Sequence, residues 1–290
     1  MNADCIIIQG GASKLALLLG WTDIRGLPSS ILLREGSRRL DNVPTSMYAE
    51  LTQWCHTEQL DIAVVPTDRR ITDFGLLVMD MDSTLIAVEC IDELADMLGL
   101  KAQVAAITQA SMRGDMPFAE SLTRRAALLA GLNADMLQQV YDERVCLSPG
   151  AERLITRVQQ CGIKTMLISG GFTFFSQRLQ TRLQLDYSAA NQLEIIDGRL
   201  TGRILGKILD AQSKAEWLVR IRDELGLSAH QTVAIGDGAN DLPMLNAAGV
   251  SFAYHAKPVV RAQAKYTLHF NGLDAILPIL GDQLTTHEKE

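Results

Sequence analysis

Two aspartates separated by one residue, Asp80 and Asp82, close a run of large apolar side chains, and Ser83 and Thr84 follow at once. One carboxylate of such a pair can attack an electrophile, and aspartate does form acyl-phosphates in phosphoryl transfer. Its neighbour can protonate a leaving oxygen and later deprotonate a water. Two carboxylates this close repel unless one is protonated or a cation lies between them. A hard cation such as Mg²⁺, which takes oxygen ligands, relieves that repulsion and helps to hold a phosphate. A strand end followed by an Asp/Ser/Thr turn has the same composition, so the pair needs company before it signifies chemistry.

Three further groups supply that company. Residues 164–168 read as a strand ending in Ser169-Gly170-Gly171, expected to run into a helix whose first N–H groups cradle an anion. An ordinary serine N-cap is the plain alternative. Lys214 stands near the start of a helix that follows residues 210–213. A cation there faces the positive end of the helix dipole, a cost of ~0.3–1 kcal/mol that a bound phosphate would offset; a solvated surface lysine is the plain reading. Residues 232–236 form a strand that ends in Gly236-Asp237-Gly238-Ala239-Asn240-Asp241-Leu242-Pro243. Glycines permit a tight turn, Asn240 can cap the next helix, and Pro243 suits a first helical turn. Capping does not call for so many acidic and amide groups together, and Asp237 at a strand terminus suits a metal ligand. Each group has a dull explanation, but their coincidence at one edge of one sheet does not.

The elements must bring these groups to one place. The short apolar run 74–79 suits a buried strand, and open α/β sheets hold their ligands beyond the carboxyl ends of the strands. A spacing of two directs Asp80 and Asp82 to one side and Met81 into the core. Downstream, residues 89–98, 102–110, 118–130 and 134–141 read as helices with no strand among them. Helix and strand then alternate: helix 151–160, strand 164–169, helix 174–183, a β-hairpin at Asp197-Gly198, helix 214–225, strand 232–236, helix 242–248, strand 250–254, helix 258–264, strand 266–269 and helix 273–280. Such alternation predicts an α/β fold with a doubly wound, mostly parallel sheet. The helical stretch at about 90–147 is an insertion expected to lie as a cap over the aspartates. Residues 1–72 predict a small N-terminal α+β domain, with strands at 6–8, 31–33 and 62–65, helices at 13–19 and 46–56, and a polar linker at 66–70. A larger α/β domain takes residues 73–282, and 283–290 form a polar tail.

Composition narrows the function classes. With 47% hydrophobic and 21% charged residues in 290, the chain suits a soluble globular protein of one large or two modest domains. A net charge of −7 without a Lys/Arg cluster argues against nucleic acid as a partner. Cys5, Cys55, Cys90, Cys146 and Cys161 are odd in number and widely spaced, which fits reduced thiols in the cytoplasm rather than disulfides or a zinc site. No apolar run approaches the ~20 residues needed to span a bilayer, and the N-terminus lacks the basic and apolar regions of a secretion signal.

The motifs DMDST, SGG, the downstream lysine and GDGAND, in this order and spacing, resemble the haloacid dehalogenase superfamily. VECIDELA, PFAESLTRR, SGGFTFF, TGRILGKILDAQSK and GDGANDLPML extend the resemblance to its phosphoserine-hydrolysing branch, over about residues 74–280. The resemblance implies Mg²⁺-dependent hydrolysis of O-phospho-L-serine as the last step of serine biosynthesis. It implies Asp80 as nucleophile and Asp82 as general acid/base. Asp80, the main chain of Asp82, and Asp237 would hold Mg²⁺, with Asp241 in support. Ser169, Gly170 and Lys214 would hold the phosphate, Asn240 would touch the substrate, and Glu89 and a cap arginine would read its amino and carboxylate groups. It leaves room for a homodimer.

The arginine can be chosen physically. In the 118–130 helix Phe118, Leu122 and Leu129 form an apolar stripe on which Arg125 falls, while Arg124 is rotated off it. An inward guanidinium needs an anion, and its planar fork matches a carboxylate. A snorkelling surface arginine, and an acidic residue in a first helical turn for Glu89, are the plain readings. The rival functions are a related phosphatase or phosphotransferase for another small phosphate ester, and a receiver-type module that accepts phosphate on a strand-end aspartate. Against the receiver stand Asp82, which would discharge the phosphate, and the long cap.

Overall fold

The computed structural model describes residues 4–27, 29–112 and 115–282; the polar tail expected at 283–290 lies outside them. The N-terminal part runs β1 (Asp4–Gln9), α1 (Ala12–Ile24), β2 (Ile31–Arg34), β3 (Ser37–Asp41), α2 (Tyr48–Thr57) and β4 (Asp61–Pro66). Its strands form a sheet of order β2-β3-β1-β4, with β1 antiparallel to both β3 and β4. Alternation along β1 divides its side chains between two cores. Ile6 and Ile8 pack with Leu15, Leu18 and Trp21 of α1 and Leu51 and Cys55 of α2. Cys5 and Ile7 face the other way and join a core with Ile71, Phe74, Tyr266 and Leu277.

The second part begins at β5 (Leu76–Met79) and continues through α3 (Cys90–Met97), α4 (Lys101–Met112), α5 (Phe118–Ala127), α6 (Asp135–Glu143) and α7 (Ala151–Gln160). Then come β6 (Lys164–Phe172), α8 (Thr173–Leu183), β7 (Tyr187–Ile196), β8 (Arg199–Leu205), α9 (Ala211–Glu224), β9 (Thr232–Gly236), α10 (Leu242–Ala247), β10 (Val250–Tyr254), α11 (Pro258–Arg261), β11 (Tyr266–Leu268) and α12 (Ile276–Ile279). These strands make a seven-stranded sheet of order β11-β10-β9-β5-β6-β7-β8. Only the β7–β8 pair is antiparallel. The sheet is covered on both faces, which is why β5 is apolar throughout. Leu77 and Met79 go to one core and Leu76 and Val78 to the other. Met81 is fully buried in the first.

Three expectations need correction. Residues 66–70 are not a free linker: the Arg69 guanidinium donates to the Tyr266 hydroxyl at 2.8 Å and the Ile279 carbonyl at 3.2 Å, and Ile71 is buried. β3 was not expected, because Arg38 and Arg39 interrupt the apolar alternation while only Ser37 and Leu40 are buried. Ser169-Gly170-Gly171 does not open a helix. β6 runs on to Phe172, and its register with β7 jumps from Ile168↔Ala189 to Phe172↔Asn191. Four steps on one strand thus match two on the other, so residues 169–171 bulge out of the ladder, as strands do where a side chain must be re-aimed.

The hairpin at Asp197-Gly198, with φ of 50° and 72°, supports the cap. The Gly131 N–H donates to the Leu200 carbonyl and the Ala134 N–H to the Gly198 carbonyl, both at 2.8 Å. At Gly202, φ is +81° and an added Cβ would stand 3.0 Å from Ala127 Cα, so α5 lies almost on the backbone of β8. No helix among the described residues is long and apolar enough to cross a membrane.

Candidate active site

Asp80 follows the last residue of β5, and Asp237 follows the last residue of the adjacent β9. The chain after Asp80 does not form a regular helix: Ser83 adopts the left-handed region at φ 56°, turning residues 81–85 back over the strand end. The Met81 N–H donates to Asp80 Oδ1 at 2.7 Å, and the Asp80 N–H bonds the Ile235 carbonyl at 3.0 Å. Lys214, in the first turn of α9, places its ammonium 2.7 Å from Asp80 Oδ1 and 2.7 Å from Asp241 Oδ1. The α9 start is fixed by Asp210, whose carboxylate accepts the Ser213 N–H at 2.9 Å and its hydroxyl at 2.8 Å.

Asp241 is fully buried. Its other oxygen accepts the N–H groups of Asp237 at 3.1 Å and Gly238 at 3.0 Å, so the carboxylate closes its own loop. Gly236 makes this possible, since a Cβ there would stand 2.6 Å from Asp241 Cβ. Asn240 lies in the same turn rather than capping α10; its amide is 3.5 Å from Asp241 Oδ1. Thr84 donates to Asp237 at 3.3 Å.

Among the described residues, the ligand oxygens of Asp80, Asp237 and Asp241 lie within 4.8 Å of one another. The Lys214 ammonium pairs with Asp80 and Asp241, and Lys257 adds positive charge near Asp237. Burial drives the Asp80 carboxyl well above its ordinary value; Asp241 adds to that push and Lys214 opposes it. Burial, then Asp241, brings Asp237 to about 6. For Lys214, burial works against the charge but the two aspartates outweigh it and hold the ammonium above its ordinary value. Three converging carboxylates and an all-oxygen donor set fit a hard divalent cation.

Asp82 is held apart from this cluster. The Cys90 N–H donates to its Oδ1 at 3.0 Å and the Ser169 hydroxyl lies 3.4 Å from Oδ2. Burial raises its carboxyl above the ordinary value, against those hydrogen bonds, which suits a group that must carry a proton. The Ser169 oxygen also accepts the Gly171 N–H at 2.8 Å. A Cβ at Gly171 would meet Asp82 Oδ2 at 2.7 Å, and one at Gly170 would meet the Phe118 ring at 2.8 Å. Both glycines are therefore needed for close approach.

Asp80, Asp82, Ser169, Gly170, Asp237 and Asn240 open onto a cavity of about 570 Å³ whose far wall is the cap, with Glu89 and Arg125 also on the wall. Lys214 and Asp241 are not on that wall; they are buried against Asp80. Glu89 accepts the Ser83 hydroxyl at 2.7 Å. Its carboxyl reaches solvent through the cavity but is enclosed by protein on most sides, and that enclosure, with Asp82 nearby, raises it to about 7. Arg125 is 9% exposed, whereas Arg124 lies outside and pairs with Glu120. Among the described residues no carboxylate comes within ion-pair distance of Arg125. Its hydrogen bond is from Nε to the Ser121 carbonyl at 3.4 Å. Burial pulls the guanidinium below its ordinary value, with Asp92 and Glu89 opposing. It is a buried cation in want of an anion.

Sequence reasoning passed over Ser83, Thr84 and Ser121. The first two follow directly on the aspartate pair, and that adjacency was the available signal. Ser121 shares a helix face with Arg125, but nothing in its type distinguishes it from a surface serine.

A family model described as haloacid dehalogenase-like hydrolase matches residues 77–246. A phosphoserine phosphatase from Polaromonas sp. is 47% identical over 226 residues, 76% of this chain and 96% of that protein. A haloacid dehalogenase family hydrolase from Salmonella enterica serovar Typhi aligns in structure with a TM-score of 0.87 at 34% identity, over 97% of this chain and all of that one. A probable phosphoserine phosphatase from Vibrio cholerae aligns with a TM-score of 0.82 at 35% identity, over 97% of this chain and 87% of that one. The family model spans more than half of the chain and the Polaromonas relative is 47% identical across most of it, so the chain belongs to the haloacid dehalogenase-like hydrolases.

Proposed function

We propose that this chain hydrolyses O-phospho-L-serine to L-serine and phosphate in the cytoplasm. The carrying observation is one cavity that holds the Asp80–Asp82 pair on one wall and, elsewhere on its wall, Glu89 and a buried Arg125 that has no ion pair among the described residues. A phosphate, a carboxylate and an ammonium within one small molecule match those three stations.

Asp80 attacks phosphorus while Asp82 donates its proton to the departing serine oxygen, leaving the phosphoryl group on Asp80. Asp82, now ionised, takes a proton from water, and that water displaces the phosphoryl group and regenerates Asp80. Ser169 and the backbone at Gly170 orient the phosphoryl oxygens, and Lys214 offsets charge on the group in transfer, where most of the catalysis of this reaction lies. Asp80, Asp237 and the main chain of Asp82 would hold Mg²⁺, with Asp241 behind them, and the ion supplies charge neutralisation at the phosphate. The cap helices exclude water from the cavity during transfer.

The test is phosphate release from phosphoserine, phosphoethanolamine and phosphoglycolate, with and without Mg²⁺, for the wild type and Arg125→Ala. Preference for phosphoserine, lost in Arg125→Ala by roughly 2–5 kcal/mol in kcat/KM, the range for breaking a buried charge pair, supports the reading. Equal losses on all three substrates would overturn it.

A further inference from the structure

Ser121 lies on α5 one turn before Arg125 and is 0% exposed. It lines the same cavity, yet its hydroxyl has no hydrogen-bond partner among the described residues. Three other cap hydroxyls are engaged. Thr108 donates to the Val104 carbonyl at 3.1 Å, Ser111 to Met116 at 3.2 Å, and Thr123, on the outer face of α5, to Ala119 at 2.7 Å. Ser121 does not turn back onto the helix in this way. Ser37 is the other buried side-chain oxygen without a partner among the described residues, and it belongs to β3, outside the cavity wall.

A buried hydroxyl that forgoes its hydrogen bond weakens the fold, and alanine is the better helix former at such a position. A serine kept there is best explained by a partner that comes and goes. The position says which. Long helical side chains lean over the preceding turn, and the Arg125 Nε–Ser121 carbonyl contact places the arginine stem over residue 121. Arg125 and Ser121 thus share one stretch of the cavity wall, and an anion held by the guanidinium would lie close to residue 121. The other cavity residues on this face of α5, Phe118 and Leu122, are apolar.

We propose that the Ser121 hydroxyl is a specificity-determining donor that hydrogen-bonds the substrate carboxylate, sharing that group with Arg125. The proposal rests on the phosphoserine reading above and adds a residue to it. It makes Ser121 a group that costs the free protein stability and repays it only when a carboxylate is bound.

The experiment uses full-length Ser121→Ala. We measure kcat/KM on phosphoserine and phosphoethanolamine, and thermal unfolding without ligand. The expected result is a loss of roughly tenfold or more on phosphoserine, the range for a hydrogen bond to a charged group, with phosphoethanolamine nearly unchanged. The melting temperature should stay level or rise, which a structural hydroxyl would not allow. Equal losses on both substrates, a lowered melting temperature, or an unchanged phosphoserine rate would each overturn the proposal. The failures are separable. If the wild type shows no preference for phosphoserine over phosphoethanolamine, the substrate reading has failed and the hydroxyl role with it. If that preference stands and Ser121→Ala retains it, only the hydroxyl role is refuted.

Discussion

The Lys214 ammonium stands 2.7 Å from the Oδ1 of Asp80; Lys214 is shut off from solvent, and Asp80 is buried except where it meets the cavity. A buried ion pair adds little net stability, but removing one partner strands the other. Lys214→Ala leaves Asp80 and Asp241 buried without a cation. In chelator its stability should fall by about 3–5 kcal/mol, more at pH 8 than at pH 5, because burial raises the Asp80 carboxyl and favours its protonation at the lower pH. Urea unfolding at both pH values checks this. A loss that is the same at both pH values would mean the carboxylates do not feel the lysine.

Glu89 predicts a pH signature. Its carboxyl titrates at about 7 and must be ionised to pair with a substrate ammonium. The kcat/KM for phosphoserine should therefore climb as pH rises through about 7. Phosphoglycolate, without nitrogen, should lack that limb, and Glu89→Gln should lose it. Asp237 and the substrate phosphate titrate for both substrates, so the difference between profiles isolates Glu89. Stability has the opposite sense. A raised carboxyl favours its protonated form in the fold, so the contribution of Glu89 is complete below its ordinary value of 4.5 and lost as pH rises through about 7. Glu89→Gln should thus melt higher relative to wild type at pH 8 than at pH 5. Identical profiles for the two substrates would refute the assignment.

The N-terminal sheet is tied to the phosphatase part by a buried carboxylate. Asp61 accepts the N–H groups of His269 at 2.7 Å, Phe270 at 3.2 Å and Asn271 at 3.0 Å, and the Asn271 amide at 2.7 Å. Asp61→Ala leaves these donors unpaired, at about 1–3 kcal/mol for a buried group, yet every proposed site residue lies elsewhere. We expect lowered stability with kcat/KM unchanged. Deleting residues 1–72 should likewise leave an active phosphatase, though a less stable one, because Phe74, Tyr266 and Leu277 lose their cover. A well-folded truncation without activity would show that the first part contributes to the site.

The sheet and the gathering of Asp80, Ser169, Lys214 and Asp237 were legible because strand ends are marked by abrupt changes from apolar to polar residues. The inward turn of Arg125 was legible from its apolar stripe with Phe118, Leu122 and Leu129. The bulge at 169–171 was not, because a Ser-Gly-Gly run reads equally as a helix start and as a broken strand; only pairing with β7 decides. β3 was hidden because strand propensity depends on the neighbouring strands. The support of α5 by β8 and the Asp61 tie join residues far apart in the chain, and no local pattern carries that information. Asp241 read as an accessory; its place between Lys214, Asp237 and Gly238 depends on the turn closing upon itself.

The central claim is that the phosphoryl group passes through Asp80. Asp82→Asn keeps the shape of the site but loses the acid that assists the first step and the base that activates water in the second, so the phosphorylated enzyme should form slowly and then persist. Asp82→Asn mixed with phosphoserine and Mg²⁺, quenched in acid and read by peptide mass spectrometry, should carry one phosphoryl group on Asp80; the wild type should show it only within the first turnovers. Phosphate release by the wild type with no phosphorylated Asp80 in either protein would contradict the account.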